Sequence, residues 1–239
     1  MRVVIPMAGK GSRFAQAGYT FPKPLIEVNN KPMIQVVVDN LGLEAKYTFL
    51  VLKEQYDQYA LKYLLPLICG DNECEIVIVD QVTQGAACTV LLAKEFINND
   101  EELLLANSDQ WVNWDSDHFL RFMRNKNADG GIVTFSATHP KWSFAKVDEG
   151  GVITEVAEKK PISNVATVGI YYFKHGKDFV EGAEQMIEKD IRTNNEFYVC
   201  PVFNEIIGDG KKVYNYPIAE MKGLGTPEDL QRFLKENQQ

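Results

Sequence analysis

Arg13 and Lys23 are set ten residues apart in the segment IPMAGKGSRFAQAGYTFPKPL, residues 5–25, which also carries Gly9 and Gly11. Each of these residue types suits an anion. Glycine lets backbone N–H groups come close to phosphate oxygens. An arginine fork clamps non-bridging oxygens in pairs. Lys23 stands between Pro22 and Pro24, whose fixed φ stiffens the chain so that the ammonium is aimed. Together they suggest a loop that wraps a triphosphate and brings its own cations.

Two other phosphate loops are excluded. The dinucleotide fingerprint GxGxxG needs a third glycine where helix and strand pack closely, and Phe14 stands there. Gly18, Pro22 and Pro24 also forbid one long helix after the turn. A P-loop needs GxxxxGK followed by Ser or Thr, but Lys10 is followed by Gly11, and position 4, five residues before Gly9, is valine.

The elements that must position this loop alternate along the first half. Arg2–Pro6, Tyr47–Leu52, Glu75–Val79 and Glu102–Ala106 read as strands. Met33–Leu41, Glu54–Leu65 and Ala86–Phe96 read as helices between them. That alternation predicts βαβ units and a parallel sheet, with ligands at the carboxyl ends of its strands. The second half has more strands: Gly130–Ala137, Phe144–Val147, Val152–Val156, Thr167–Phe173 and Lys212–Tyr216. Lys177–Ile191, Phe197–Ile207 and Pro227–Glu236 read as helices, the last capped by Thr226. One domain is expected over 1–239, with a nucleotide-binding half (1–110) and an acceptor-binding half (111–239).

Composition narrows the partners. The 239 residues are 45% apolar and 24% charged, ordinary for a globular chain, and only the polar tail Glu236–Gln239 is expected to lack order. A net charge of −8 with no basic block speaks against nucleic acid. Val3–Met7 is too short for a signal segment, and no window approaches the ~20 apolar residues of a membrane span. The cytoplasm is therefore the expected setting. Cys69 and Cys74 lie five positions apart but have no second Cys/His pair at ligand spacing, so all four cysteines are expected as free thiols.

The segment MAGKGSRF…FPKPLIEVNNKPMI resembles the N-terminal signature of the nucleotidyltransferases that activate sugar phosphates and related phosphorylated compounds. Later segments, in order, extend the resemblance over nearly the whole chain: QVTQGAA from Gln81, Asn107-Ser108-Asp109, EKKP from Glu158, ATVGIY from Ala166, NEFYV from Asn195 and GTPED from Gly225. The resemblance implies a Rossmann-like three-layer αβα sandwich with a mixed, mostly parallel sheet, of the GT-A-like kind. It implies nucleotide contacts from Met7, Ala8, Gly9, Gly11, Ser12, Gln81, Gly85, Ala86 and Asn107, and acceptor contacts from Glu158, Lys159, Gly169 and Glu196. It makes Asp109 the ligand of Mg2+ or Mn2+, and Arg13 and Lys23 the catalytic cations.

The implied reaction is attack of an acceptor phosphate oxygen on the α-phosphorus of a nucleoside triphosphate, with loss of pyrophosphate. Two anions must meet, so charge neutralisation dominates the barrier. A phosphate dianion needs no general base near neutral pH, because its second pKa is about 6.

One residue departs from the pattern. The family often carries a second metal-binding aspartate two residues before the glycine of GTP, and Gly223 occupies that position here. Glu196 and Glu220 are possible substitutes, although strand alternation turns Glu220 away from position 223. The segment Thr138–Ala145 replaces the Tyr-Gly type stretch of many hexose-specific members. With TQGAACTVLLAKEF and GLGTPED, it is most similar to enzymes of bacterial capsular polysaccharide clusters, among them CTP-dependent cytidylyltransferases acting on phosphoglutamine. Two other classes stay open. The loss of the carboxylate at 223 suits a non-catalytic nucleotide sensor. An NDP-sugar glycosyltransferase would need a DxD-type motif, of which Asn107-Ser108-Asp109 offers one carboxylate.

Overall fold

The computed structural model describes residues 1–236. Glu236, the start of the expected tail, ends the last helix, and 237–239 lie outside the described residues. The first half runs β1 (Arg2–Pro6), α1 (Ser12–Gln16), a 3-10 turn (Lys23–Leu25), β2 (Glu27–Val28), β3 (Lys31–Pro32), α2 (Met33–Leu41), β4 (Lys46–Leu52), α3 (Lys53–Gln58), α4 (Leu61–Cys69), β5 (Cys74–Val79), α5 (Ala86–Leu91), α6 (Lys94–Ile97) and β6 (Leu103–Ala106). The second half runs β7 (Gln110–Asn113), α7 (Ser116–Asn125), β8 (Gly130–Ser136), β9 (Ser143–Val147), β10 (Ile153–Glu158), β11 (Val165–Phe173), α8 (Gly176–Glu188), α9 (Val202–Gly208), β12 (Val213–Pro217), β13 (Glu220–Gly223) and α10 (Pro227–Glu236).

The main sheet follows the order β10-β9-β11-β6-β1-β4-β5, with β8 on the other edge of β11 and β12 on β8. β6, β1, β4 and β5 are mutually parallel, as the alternation predicts. β11 runs antiparallel to β6 and makes the sheet mixed. Both faces are covered. Along β1, Val4 points into a core with α5, α8 and α9, while Val3 and Ile5 point into a second core with α2, α4 and α7. Such two-sided burial is why the strands read as continuous apolar runs. The three-layer α/β class holds.

Several elements differ from the sequence reading. The helix expected over Glu54–Leu65 is two, because Ala60 takes a left-handed conformation (φ 52°) between α3 and α4. Ala86–Phe96 likewise divides between α5 and α6, at Leu92 and Ala93. Phe197–Ile207 is helical only from Val202. The Phe197 backbone is engaged elsewhere: its N–H donates to Gln84 O at 2.8 Å and its carbonyl accepts from Ala87 at 3.0 Å. The β7–β13 ribbon, α7 and the β2–β3 hairpin carry too short or too polar a pattern to have been read as elements. The Thr226 cap is present, with its Oγ accepting from Asp229 N–H at 3.2 Å.

α9 is anchored on β11 by Phe203, fully buried and stacked on Phe173 at 4.6 Å between centroids. Truncation leaves a cavity that rigid strands cannot close. Phe203→Ala is expected to cost about 3–5 kcal/mol in urea denaturation; a loss below about 1 kcal/mol would contradict the packing described.

Candidate active site

The chain runs outward from β1 to β4 and β5, then crosses back to β6 on the other side of β1. The strand order reverses between β1 and β6, and a crevice opens at their carboxyl ends. The loops leaving there are Met7–Gly11 and Asn107–Asp109.

The first loop is held by steric detail. Gly11 adopts φ +61°, and a Cβ on it would lie 3.2 Å from Lys23 Cβ, so glycine lets the loop close on the lysine. Phe14, where a dinucleotide loop has glycine, is a buried anchor: it packs in a small core with Met33, Leu224, Leu230 and Phe233. The prolines place Lys23 at the start of the 3-10 turn, where Leu25 N–H donates to Pro22 O at 2.8 Å. From there Lys23 Nζ reaches Asp109 Oδ2 at 2.7 Å, with side chains 23% and 24% exposed. The two residues taken from sequence as catalytic cation and metal ligand are thus in direct contact.

Two cavities flank this pair. One, about 420 Å³, lies over Met7, Ala8, Gly9, Gly11 and Ser12 and reaches Gly85 and Glu196. The other, about 350 Å³, is lined by Arg13, Asn107, Asp109, Glu158, Lys159 and Gly169 among others. They share Pro6, Lys23, Ala86 and Ser108, so the lysine stands at their junction.

The sequence-derived residues fall into place unequally. Glu196 lines the first cavity, while Glu158 and Lys159 line the second, and Tyr198 links them by bonding both Glu196 and Lys159. Gln81 is exposed and lines neither cavity; Thr83 and Thr89, whose hydroxyls bond at 2.7 Å, lie beside the loop instead. Gly85 (φ +137°) is pressed on Phe197, whose carbonyl would lie 2.4 Å from an added Cβ, so the 84–87 turn is fixed to the 195–201 segment. Gly169 (φ +84°) sits in a bulge of β11 and accepts from Asn107 N–H at 2.9 Å; a Cβ there would meet Asn107 Nδ2 at 2.2 Å. Its role in the structure is to let Asn107 approach. The Arg13 guanidinium makes no hydrogen bond or ion pair among the described residues, which leaves it available in the second cavity.

Sequence reasoning did not single out Tyr198, Ser143, Lys141 or Asp229, all of which line the second cavity. Lys159 (φ 54°) donates from Nζ to the Tyr198 hydroxyl and lies 4.4 Å from that ring's centroid; its own N–H bonds Trp142 O at 3.0 Å. Ser143 Oγ donates to the Glu158 carboxylate. Burial pushes the Glu158 carboxyl above its ordinary value, against the pull of the Ser143 bond and the Lys159 charge, while Glu196 adds to the rise. Tyr198 is also raised, first by burial and then by its bond to Glu196.

A divalent metal fits the junction. Asp109 supplies hard carboxylate oxygens, and a Cβ at Gly225 would come within 2.4 Å of its Oδ2, so glycine keeps that flank open. No group of three or more acidic, histidine or cysteine side chains gathers among the described residues. One carboxylate with phosphate oxygens and water is a set that Mg2+ accepts. Glu220 is exposed at the start of β13 and pairs with Lys222 at 3.5 Å.

The fold and this site belong to a known class. The chain is a member of the nucleotidyl transferase family, whose model matches residues 2–238. It is 26% identical to the low-salt glycan biosynthesis nucleotidyltransferase Agl11 of Haloferax volcanii, over 96% of this chain and 64% of that protein. It is 26% identical to the mannose-1-phosphate guanylyltransferase catalytic subunit beta of Drosophila pseudoobscura pseudoobscura, over 80% of this chain and 53% of that one. The chain thus spans about half to two thirds of these relatives. The nucleoside-diphosphate-sugar pyrophosphorylase of Vibrio cholerae RC9 superposes with a TM-score of 0.83 at 25% identity, covering 98% of this chain and 99% of that one. A UDP-glucose pyrophosphorylase complexed with UDP-glucose shares the fold, at TM-score 0.79 and 18% identity over 99% and 98% of the two chains. No helix among the described residues is long and apolar enough to cross a membrane.

Glu158 has a measurable consequence. A carboxyl whose folded value is raised contributes stability that is full below the unfolded value and is lost as pH rises through the folded one. Glu158→Gln removes the titration and keeps an acceptor for Ser143. The melting temperature of the variant relative to wild type should therefore climb as pH rises above the ordinary carboxylate range. A difference that stays flat would show that Glu158 titrates normally.

Proposed function

We propose that the chain transfers a nucleoside monophosphate from a nucleoside triphosphate to the phosphate of a small acceptor and releases pyrophosphate. The observation that carries this is Lys23 at the junction of the two cavities, in contact with Asp109. The triphosphate lies along the Gly9–Ser12 loop and the acceptor phosphate comes from the side of Lys159. An acceptor oxygen forms the new bond to the α-phosphorus as the bond to the bridging oxygen of pyrophosphate breaks. Lys23 holds the charge at the α-phosphoryl group and Lys159 keeps the acceptor in line; Arg13 is given the leaving pyrophosphate by its place in the AGxGxR pattern beside the loop, although its side chain lines the second cavity. Tyr198 orients Lys159. Asp109 holds Mg2+ or Mn2+, which supplies charge neutralisation and orientation of the phosphates when bound.

The nucleotide and acceptor we favour are CTP and L-glutamine phosphate, in capsule assembly in the cytoplasm. This choice is supported by the resemblance of the 81–96 and 138–145 segments and of GLGTPED to capsule-cluster cytidylyltransferases. A sugar 1-phosphate acceptor is the second reading, favoured by relatives named for mannose 1-phosphate and glucose 1-phosphate.

The test is pyrophosphate release with Mg2+, each nucleoside triphosphate in turn and a panel of phosphorylated acceptors. One pair should dominate. Lys23→Ala should lower kcat by about 10²–10³-fold, the scale of losing one charge-stabilising group. Its fold should persist, since a partly exposed ion pair contributes at most about 1 kcal/mol. Folded wild-type protein that releases no pyrophosphate with any pair would refute the proposal.

A further inference from the structure

The second cavity ends at a charged wall. Lys141 Nζ contacts both oxygens of Asp229 at 3.1 Å and lies 4.6 Å from the Trp142 ring centroid. Asp229 is the less exposed partner, at 17% against 41% for Lys141. Behind the wall is a further cavity of about 530 Å³, which shares Lys141, Trp142, Met221, Gly223 and Asp229 with the second and adds Arg232, Lys222 and Glu236.

Three details point this pair toward a ligand. Asp229 is the third residue of α10, and its N–H is capped by Thr226. In a reciprocal capping box its carboxylate would return a bond to the Thr226 N–H. No such bond forms; both oxygens face Lys141. Gly223 is the second detail. A Cβ there would sit 3.5 Å from Asp229 Oδ2 and 3.5 Å from the Trp142 ring, so any longer side chain would fill the space in front of the pair. The third is that both charges line the cavity that holds Lys159, the residue placed on the acceptor phosphate.

We infer that Lys141 and Asp229 are specificity-determining residues that receive a zwitterionic group on the acceptor, its carboxylate on Lys141 and its ammonium on Asp229. The inference rests on the nucleotidyl-transfer reading above and assigns residues to the amino-acid end of the acceptor favoured there. A zwitterion replaces one ion pair by two, in a site where charges are partly desolvated and each charge-assisted bond is strong. A hydroxyl-rich neutral acceptor leaves the pair closed on itself and gains only neutral hydrogen bonds, which are weaker. An ion pair with its lysine 41% exposed gives little net stability by itself, so its place on a ligand-facing wall is better explained by selection.

The experiment measures kcat/KM for four acceptors with the preferred nucleotide: a phosphorylated α-amino acid, a phosphorylated amine without the carboxylate, a phosphorylated acid without the amine, and a hexose 1-phosphate. The amino acid should be preferred over each of the others by about tenfold or more. Asp229→Asn should lower kcat/KM by about 10- to 100-fold for the amino acid and the amine, through KM, with the KM of the nucleotide unchanged. Lys141→Met, on an exposed loop and leaving the Thr226 cap bond itself intact, should do the same for the amino acid and the acid. A charge exchange, Lys141→Asp with Asp229→Lys, restores the tie between loop and helix; it should not restore the wild-type acceptor. Restoration would reduce the pair to a structural latch and overturn the inference. Hexose 1-phosphate used as well as the amino acid, with Asp229→Asn within twofold of wild type, would overturn it while leaving nucleotidyl transfer intact. No release from any acceptor would overturn both.

Discussion

The ion pair between Lys23 and Asp109 joins segments 86 residues apart and stands where the two cavities meet. A lone ammonium at that point would repel Arg13 and Lys159 across the cleft, and a lone carboxylate would repel the phosphates. Paired, they are stored near neutrality. In the proposed reaction a metal-bound triphosphate would offer each a better partner, phosphate for the lysine and metal for the aspartate, so that binding would exchange one ion pair for two. That exchange would let an acidic protein, with a formal charge of −8, receive the two phosphorylated compounds of the proposed reaction.

Much of the surrounding structure serves to hold that pair in register. Phe14, Leu224, Leu230 and Phe233 tie the first loop to the chain around α10, so the 3-10 turn bearing Lys23 and the GTPED segment share one small core. Leu224 N–H donates to Asp109 O at 2.8 Å and fixes the aspartate's backbone from the same side. Gly11 and Gly225 are small because Lys23 and Asp109 approach them closely. On the acceptor side, the bulge at Gly169 bonds β11 to Asn107, so the loop after β6 answers to both halves of the sheet.

The loops after β1 and β6 were legible in the sequence because their constraints are local. Glycines and prolines fix backbone angles within a few residues, and the LLLA run of β6 delivers Asn107–Asp109 to the strand end whatever surrounds it. The acceptor side depends on contacts between distant segments. Lys141 and Asp229 are 88 residues apart, and nothing in either local pattern marks a partner. Glu196 was grouped with Glu158 and Lys159 by motif order; backbone bonds from Phe197 to the 84–87 turn also bring it beside the first loop, so it stands between the two cavities, joined to Lys159 through Tyr198. Gln81 read as a base contact by its place in a motif, while the turn beyond it, pinned by Gly85 on Phe197, leaves that side chain exposed.

The most direct test is a crystal structure with a nucleoside triphosphate and Mg2+. The account predicts that Lys23 Nζ leaves Asp109, now 2.7 Å away, for an α-phosphate oxygen, and that the Asp109 carboxylate turns to the metal. A bound triphosphate with the Lys23–Asp109 contact intact and its α-phosphorus away from both residues would contradict it.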